Sequence, residues 1–255
     1  MAFDKKKQIC RLLKGIETGD PGSVSVVNEK KYIQHNPQTH EGSEGLAALF
    51  KRLAKTSPRV NIVRIFEDGD FVFAHTEYDF ATRNIGFEIF RFENSQAVEH
   101  WDNIQSREGP NKSGHSMVDG VTDVSDLDDT EINRTIIESF VENILIQSKA
   151  DKLDTYLSQE GYTEHNPKND KHFIKLYRCT PKTDNHKSAS IVYKKCHRVL
   201  AEGNFVLSVC EGYVDEFHTS FFDLYRLEKG RIVEHWDTVE AIVPVSEWKN
   251  ANGKF

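Results

Sequence analysis

Apolar residues at Ile9, Leu12, Leu13 and Ile16 fall on one face of a helix predicted over residues 4–17, and Gly19-Asp20-Pro21 supplies the turn that stops it. A short second helical stretch leads to His35-Asn36-Pro37, where the proline drives the residue before it out of the helical region. Leu46, Leu49, Phe50 and Leu53 restore helical spacing across residues 45–55. The period then shortens to that of strands. Residues 60–66, a turn at Asp68-Gly69-Asp70, and residues 71–80, 87–92 and 97–105 predict four β segments joined by hairpin-type turns. Helices followed by an antiparallel sheet make an α+β unit.

The same order of elements returns later in the chain. Glu99-His100-Trp101-Asp102 reappears as Glu234-His235-Trp236-Asp237, 135 residues on, and Tyr32 to Pro37 reappears as Tyr162 to Pro167, 130 residues on. Glu67-Asp68-Gly69-Asp70-Phe71-Val72 is echoed by Ala201-Glu202-Gly203-Asn204-Phe205-Val206, and Glu88 to Glu93 by Asp223 to Glu228. So long a period means two copies of a whole domain, since solenoid repeats are much shorter. The second copy opens near Leu127 with a helix carrying Ile132, Ile136, Ile137, Phe140, Ile144 and Leu145, and strands are predicted at 195–200, 204–214, 219–227 and 232–239. Between them, residues 168–190 carry Pro181, Lys182, Asp184, Asn185 and His186 where the third helix is expected, so that helix is short or rebuilt as a loop and the second pocket is altered or closed. The expected division is residues 1–106 as the first module, 107–126 as an irregular linker rich in Gly, Ser, Asp and Asn, and 127–255 as the second module with its tail.

The length of 255 residues suits two domains, each able to bury a core. A net charge of −7 opposes binding to a phosphate backbone, so no nucleic acid partner is expected. No apolar run approaches the roughly 18 residues of a membrane span, and the basic start has no apolar stretch behind it, so a cytoplasmic protein without membrane contact is expected. Cys10, Cys179, Cys196 and Cys210 occupy non-equivalent places in the two copies and read as free thiols.

Four motifs recur in one order: Tyr-x-x-His-Asn-Pro, an acidic Gly-Asp hairpin, an acidic-x-Phe-Arg strand, and the final Glu-His-Trp-Asp strand. Together they resemble the SnoaL-like polyketide cyclase group of the nuclear transport factor two-like superfamily, over nearly the whole chain. The resemblance implies two cone-shaped modules, each with N-terminal helices packed on a curved antiparallel sheet around a pocket. Such proteins commonly pair sheet to sheet, which implies an intrachain pseudo-dimer; a monomeric chain is expected if the two sheets cover each other, and a dimer of four modules if the linker holds them apart. It also implies a cofactor-independent cyclase, aldolase or isomerase acting on a small apolar carbonyl ligand.

Strand alternation places His100 and Asp102 on one sheet face and Glu99 and Trp101 on the other, and His235 and Asp237 repeat the choice. His75, Glu77 and Asp79 share a face of the hairpin strand, and Val209, Glu211 and Tyr213 match them in the second copy. An Asp desolvated in an apolar cone is suited to accept a proton from carbon, with His100 or His35 as donor to the enolate. The expected proton-transfer groups are therefore Asp102 and Asp237, with His100 and His235 as their partners. His35, His75, Glu77, Asp79, Glu88, His165, Glu211, Tyr213 and Asp223 are candidates for the pocket wall or rim. Glu88 and Asp223, acids inside Phe-rich strands, need partners and are matched to the neighbouring histidines, while Arg91 and Arg226 suit salt bridges.

Other roles stay open for the same residues. His and Asp can equally form a hydrogen-bonded pair that fixes the sheet register, and the His-Asn-Pro turn can be structural alone. An epoxide-hydrolase-like activation of water is disfavoured because the Arg-x-Asp expected on the hairpin strand is Glu77-Tyr78-Asp79. A metal site can be drawn from His100, Asp102 and Glu88, but no spacing is diagnostic, and neither metal nor cofactor is expected. Against the enzyme stands a non-catalytic ligand-binding or scaffold protein of the same fold, distinguished by whether the cone is open or filled.

Overall fold

Asp4 begins the first helix by accepting a hydrogen bond from Lys7 N at 2.9 Å, and Gly19, at φ +69°, ends it with its N–H on the Gly15 carbonyl. This helix, α1 (Lys5–Thr18), buries Ile9, Leu12, Leu13 and Ile16, the face that the periodicity selects. The fold is a computed structural model that describes residues 3–168 and 190–255. After a 3-10 turn at Pro21–Val26 come β1 (Ile33–Gln34) and α2 (Gly42–Leu53). Then follow β2 (Arg59–Asp68), β3 (Phe71–Asp79), β4 (Arg83–Glu93) and β5 (Gln96–Ser106).

The strand order is β1-β5-β4-β3-β2, antiparallel except that β1 runs parallel to β5. The sheet is thus mixed rather than purely antiparallel. Two residues before the His-Asn-Pro turn are too few to show a strand period, so β1 is not legible in the sequence. Its pairing explains why the two motifs occur together, because Ile33 lies opposite Glu99 and Gln34 opposite His100. Helices α1 and α2 cover one sheet face in a core with Val60, Val72, Tyr78, Phe90 and Phe92.

The described part of the second module repeats this plan. Helix α3 (Thr130–Phe140) continues into a π-helical turn, Val141–Ile146, and buries Ile137, Phe140, Ile144 and Leu145, whereas Ile132 is 58% exposed and stands off the core face. Strands β6 (Thr163–Glu164), β7 (Ile191–Glu202), β8 (Phe205–Val214), β9 (Phe217–Glu228) and β10 (Arg231–Ala241) form a sheet in the order β6-β10-β9-β8-β7. Again β6 is parallel to its neighbour, with Glu164 opposite His235. The expected rebuilding of the third helix, and its effect on a second pocket, fall on residues 169–189, outside the described residues.

The chain divides into two compact units with boundaries unlike those the sequence suggests. Residues 243–255 belong with the first unit, Met1–Arg107, and the stretch expected to be a linker belongs with the second unit, Glu108–Ile242. Specific hydrogen bonds account for both assignments. Asn250 Nδ2 donates to the carbonyls of Asn36 and Thr39, and Asn252 Nδ2 to that of Gln34. In the second unit Asn111 Nδ2 donates to the Glu164 carbonyl at 2.6 Å. Polar, Gly-containing segments of this kind look like linkers by composition, while their side-chain amides bind a turn. Among the described residues no helix is long and apolar enough to cross a membrane.

Candidate functional site

Register fixes which side chains meet inside the first module. Glu88 lies opposite both Asp102 and Ala74, Phe90 opposite His100, and Gly86 opposite Ile104 and Thr76, so these residues share one sheet face. That face and the helices bound a cavity of about 200 Å³, lined by apolar groups such as Leu13, Leu46, Phe80 and Phe90 together with Tyr32, Gln34, Asn36, Tyr78, Glu88, His100 and Asp102. A larger depression of about 640 Å³ lies along α1 and α2 near Gly15, Ala47 and Phe50, and contains none of the buried acids or histidines of the sheet. The chemistry therefore sits in the smaller space.

A chain of hydrogen bonds crosses the floor of this cavity. Tyr78 Oη donates to Glu88 Oε1 at 2.7 Å, Glu88 Oε2 lies 2.6 Å from His100 Nε2, and His100 Nδ1 lies 2.9 Å from Gln34 Oε1. Burial pushes the Glu88 carboxyl above its usual range, against the lowering effect of its bonds to His100 and Tyr78. Asp102 stands apart from this chain. Its Oδ2 accepts from Asn36 Nδ2 at 2.6 Å, its Oδ1 makes no hydrogen bond, and the buried Lys254 Nζ lies 3.5 Å from that oxygen. Tyr32 Oη is also buried without a hydrogen-bond partner. Burial, then the nearby Glu88 and Asp102, push the Tyr32 phenol well above 10, which keeps it a donor.

In the second module the equivalent chain carries one acid more. His235 Nδ1 lies 2.9 Å from Glu164 Oε1, its Nε2 lies 3.1 Å from Asp223 Oδ1, and Tyr193 Oη donates to Asp223 at 3.3 Å. Burial would lower the imidazole, but Glu164 and Asp223 outweigh it and push His235 up to about 10. Asp237 Oδ2 accepts from Asn166 Nδ2 at 2.6 Å, matching the Asp102–Asn36 pair.

These contacts rearrange the expected pairings. His100 and His235 do not partner Asp102 and Asp237; they bond across to the neighbouring strand at Glu88 and Asp223, and the aspartates bond to the Asn of the His-Asn-Pro turn. His75, Glu77 and Asp79 are not on the pocket wall. Their neighbours Tyr78 and Phe80 line the cavity, and alternation turns the other three outward, where His75 meets Arg64 and Glu77 pairs with Arg107. The same reversal removes Glu211 and Tyr213, because Ser208 and Cys210 share the face of Asp223 and Asp237; Glu211 instead bonds His197 and His218. Period two fixes relative parity within a strand, but the register between strands decides which parity faces inward.

His35 and His165 also point away from the cavity face. Each stacks on the outward tryptophan, at 4.7 Å from Trp101 and 4.6 Å from Trp236, and bonds Glu99 or Glu234. Arg91 and Arg226 bind the same two glutamates at 2.7 Å. Bonds from His165 and Arg226 hold the Glu234 carboxyl below its usual range, although burial alone would raise it. Among the groups that sequence reasoning missed are Tyr32, Asn36, Tyr78 and Lys254. The first two lie in the recurring Tyr-x-x-His-Asn-Pro motif, which is a signal; nothing in the sequence near Lys254 ties it to Asp102.

Neither a family model nor a curated protein matches the chain. Among solved structures it is similar to TsrD from Streptomyces laurentii, at 21% identity over 39% of this chain and 86% of that one, with a TM-score of 0.35. It is similar to an LEH-like epoxide hydrolase from M. tuberculosis, at 16% identity over 40% of this chain and 82% of that one, with a TM-score of 0.35. A protein designated a SnoaL-like polyketide cyclase, from Shewanella denitrificans, shows 14% identity over 40% of this chain and 90% of that one, with a TM-score of 0.35.

Proposed function

We propose that the first module binds a small apolar carbonyl compound and moves a proton on it without a cofactor, in the manner of the aldol-type cyclases and isomerases that its motifs resemble. The observation behind this reading is one cavity with Asp102 and Tyr32 in its lining, each carrying a buried oxygen without a hydrogen bond, Oδ1 beside the Lys254 ammonium and Oη. Buried polar atoms are normally hydrogen-bonded, and oxygens without such a bond on residues that line a cavity are suited to a ligand. Asp102 Oδ1 takes the proton from the carbon next to the carbonyl. Tyr32 donates to the oxygen as negative charge develops there, the role that sequence reasoning gave to His100 or His35. Asn36 holds the carboxylate in place, and the Gln34–His100–Glu88–Tyr78 chain stiffens the floor.

The test is solvent deuterium exchange at the α-carbon of a panel of cyclic and aryl ketones, followed by NMR. Wild-type protein is expected to accelerate exchange for a subset that fits about 200 Å³. Asp102→Asn is expected to remove roughly 10²–10⁴ of the acceleration, and Tyr32→Phe roughly 10²-fold. The second reading, a non-catalytic ligand-binding or scaffold protein, draws on the satisfied His100–Glu88 pair, which resembles a structural one. Ketone binding with no exchange above buffer would favour it, and absence of both would overturn the pocket assignment.

A further inference from the structure

A cluster of metal-ligating side chains lies in the second unit, where residues 111–119 meet the His165 turn. The backbone there is held at several points. Asn111 N donates to the His115 carbonyl at 2.9 Å, Asn111 Oδ1 accepts from His115 N at 3.1 Å, Ser116 Oγ accepts from Asp119 N at 3.2 Å, and Trp236 Nε1 donates to the Asp119 carbonyl at 2.9 Å. The side chains of His115 and Asp119 are thereby set against His165. Asp119 Oδ1 is 2.6 Å from His165 Nδ1 and Asp119 Oδ2 is 3.9 Å from His115 Nδ1. One ligand atom from each of the three residues lies within 4.8 Å of the others.

The surroundings of His165 are those of a ligand with its support in place. The ring is 1% exposed, its Nε2 lies 2.9 Å from Glu234 Oε1, and Arg226 holds that glutamate from the other side. At Nδ1 stand Asp119 Oδ1 and, at 2.7 Å, the Ser116 carbonyl. With Nε2 turned to Glu234, Nδ1 faces Asp119 Oδ1 and the Ser116 carbonyl, so a cation seated at Nδ1 would meet oxygens that attract it. A histidine that donates one N–H to a carboxylate and offers its other nitrogen to a metal is a common support for zinc. In the first module His35 has the same tryptophan stack and glutamate, with the Gly253 carbonyl at 2.9 Å from its Nδ1, but no such cluster forms around it among the described residues.

We propose that His115, Asp119 and His165 bind a divalent transition-metal ion of the zinc type, with water completing the coordination. Two imidazoles and one carboxylate favour that class over magnesium or calcium, which take oxygen ligands. Ligands about 2.0–2.1 Å from zinc in tetrahedral geometry are roughly 3.3 Å apart. The present separations bracket that figure, and His115 and Asp119, 42% and 46% exposed, have room to rotate into it. The ion would clip residues 111–119 to the His165 turn. The site uses no residue of the first-module cavity, so its fate is independent of the carbonyl reading.

The experiment uses the full chain, stripped with a chelator and free of any affinity tag, titrated with Zn²⁺ by calorimetry and with Co²⁺ by visible absorption. One equivalent is expected to bind, with the intense d–d bands of four-coordinate Co²⁺. His115→Ala and Asp119→Asn alter exposed side chains and are each expected to abolish stoichiometric binding while leaving the circular dichroism unchanged. Glu234→Gln is expected to weaken binding about 10–100-fold, and His218→Ala, beside Glu211, is expected to leave it unchanged. Absence of stoichiometric binding, or binding that survives the double substitution at His115 and Asp119, would overturn the assignment and leave His165 as a structural group.

Discussion

In the first module His100 lies between an amide and a carboxyl, Gln34 and Glu88; in the second, His235 lies between two carboxyls, Glu164 and Asp223. The positions correspond, since Gln34 faces His100 in register as Glu164 faces His235. A single amide-to-acid difference thus separates a network with one acid at the histidine from a buried ion cluster. Charges taken from water are tolerated only when paired and hydrogen-bonded. The second module meets that condition by holding its imidazole protonated between two acids, and in the first an amide stands where the second of those acids would be. The difference teaches that one scaffold can put the same turn, strand and histidine to electrostatically distinct uses.

The largest expected effect comes from removing the central cation of the cluster. His235→Ala leaves Glu164 and Asp223 facing each other in the core, and the expected loss is about 3–5 kcal/mol of second-module stability. His100→Ala removes bonds to one amide and one acid whose carboxyl burial already pushes up, and about 1–3 kcal/mol is expected. Denaturant unfolding of the two variants measures both. Equal losses would mean that the two histidines are electrostatically alike and would break the comparison.

Titration sharpens the comparison without deleting a side chain. His235 has a folded-state value of about 10 against 6.5 for the free group, so the folded protein binds that proton more tightly than the unfolded chain. The stabilisation is therefore complete below about pH 6.5 and is lost as pH rises through about 10. Second-module stability is expected to fall by a few kcal/mol between neutral pH and pH 10, at a slope on the order of 1.4 kcal/mol for each pH step of one. Glu164→Gln recreates the amide of the first module and is expected to flatten that decline, read as the unfolding midpoint across the pH range. A decline as steep in the variant as in the wild type would place the titrating group elsewhere.

Much of this contrast is written in the sequence, but its geometry is not. The helical face of Ile9, Leu12, Leu13 and Ile16, the four long strands and the duplication are legible because hydrophobic period and long-range identity are local or self-referential signals. Assignment of an inward face is not local. His75 and Glu77 look as suited to a pocket as Thr76 and Tyr78 until the pairing of Tyr78 with Asn84 and Glu88 with Asp102 sets the parity. The Asp102–Lys254 approach joins residues 152 positions apart and rests on a tail that the sequence groups with the second module. Glu88 and Asp223 mark themselves out as acids in apolar strands, and a partner for each had to exist; the histidine one strand away is the nearest group of the right chemistry.

The finest expected distinction lies at the far end of each network. Tyr78 Oη donates to Glu88 at 2.7 Å, whereas Tyr193 Oη reaches both oxygens of Asp223 only at 3.3 Å. Tyr78→Phe takes the donor from Glu88 Oε1, and about 1–2 kcal/mol is expected. Tyr193→Phe removes a longer, divided bond from an acid that His235 continues to neutralise, so a loss below about 1 kcal/mol is expected. Unfolding in the same denaturant series ranks the two. If the phenylalanine at 193 proves the costlier, Asp223 depends on its tyrosine more than on His235, and the second module would be organised by neutral hydrogen bonds like the first.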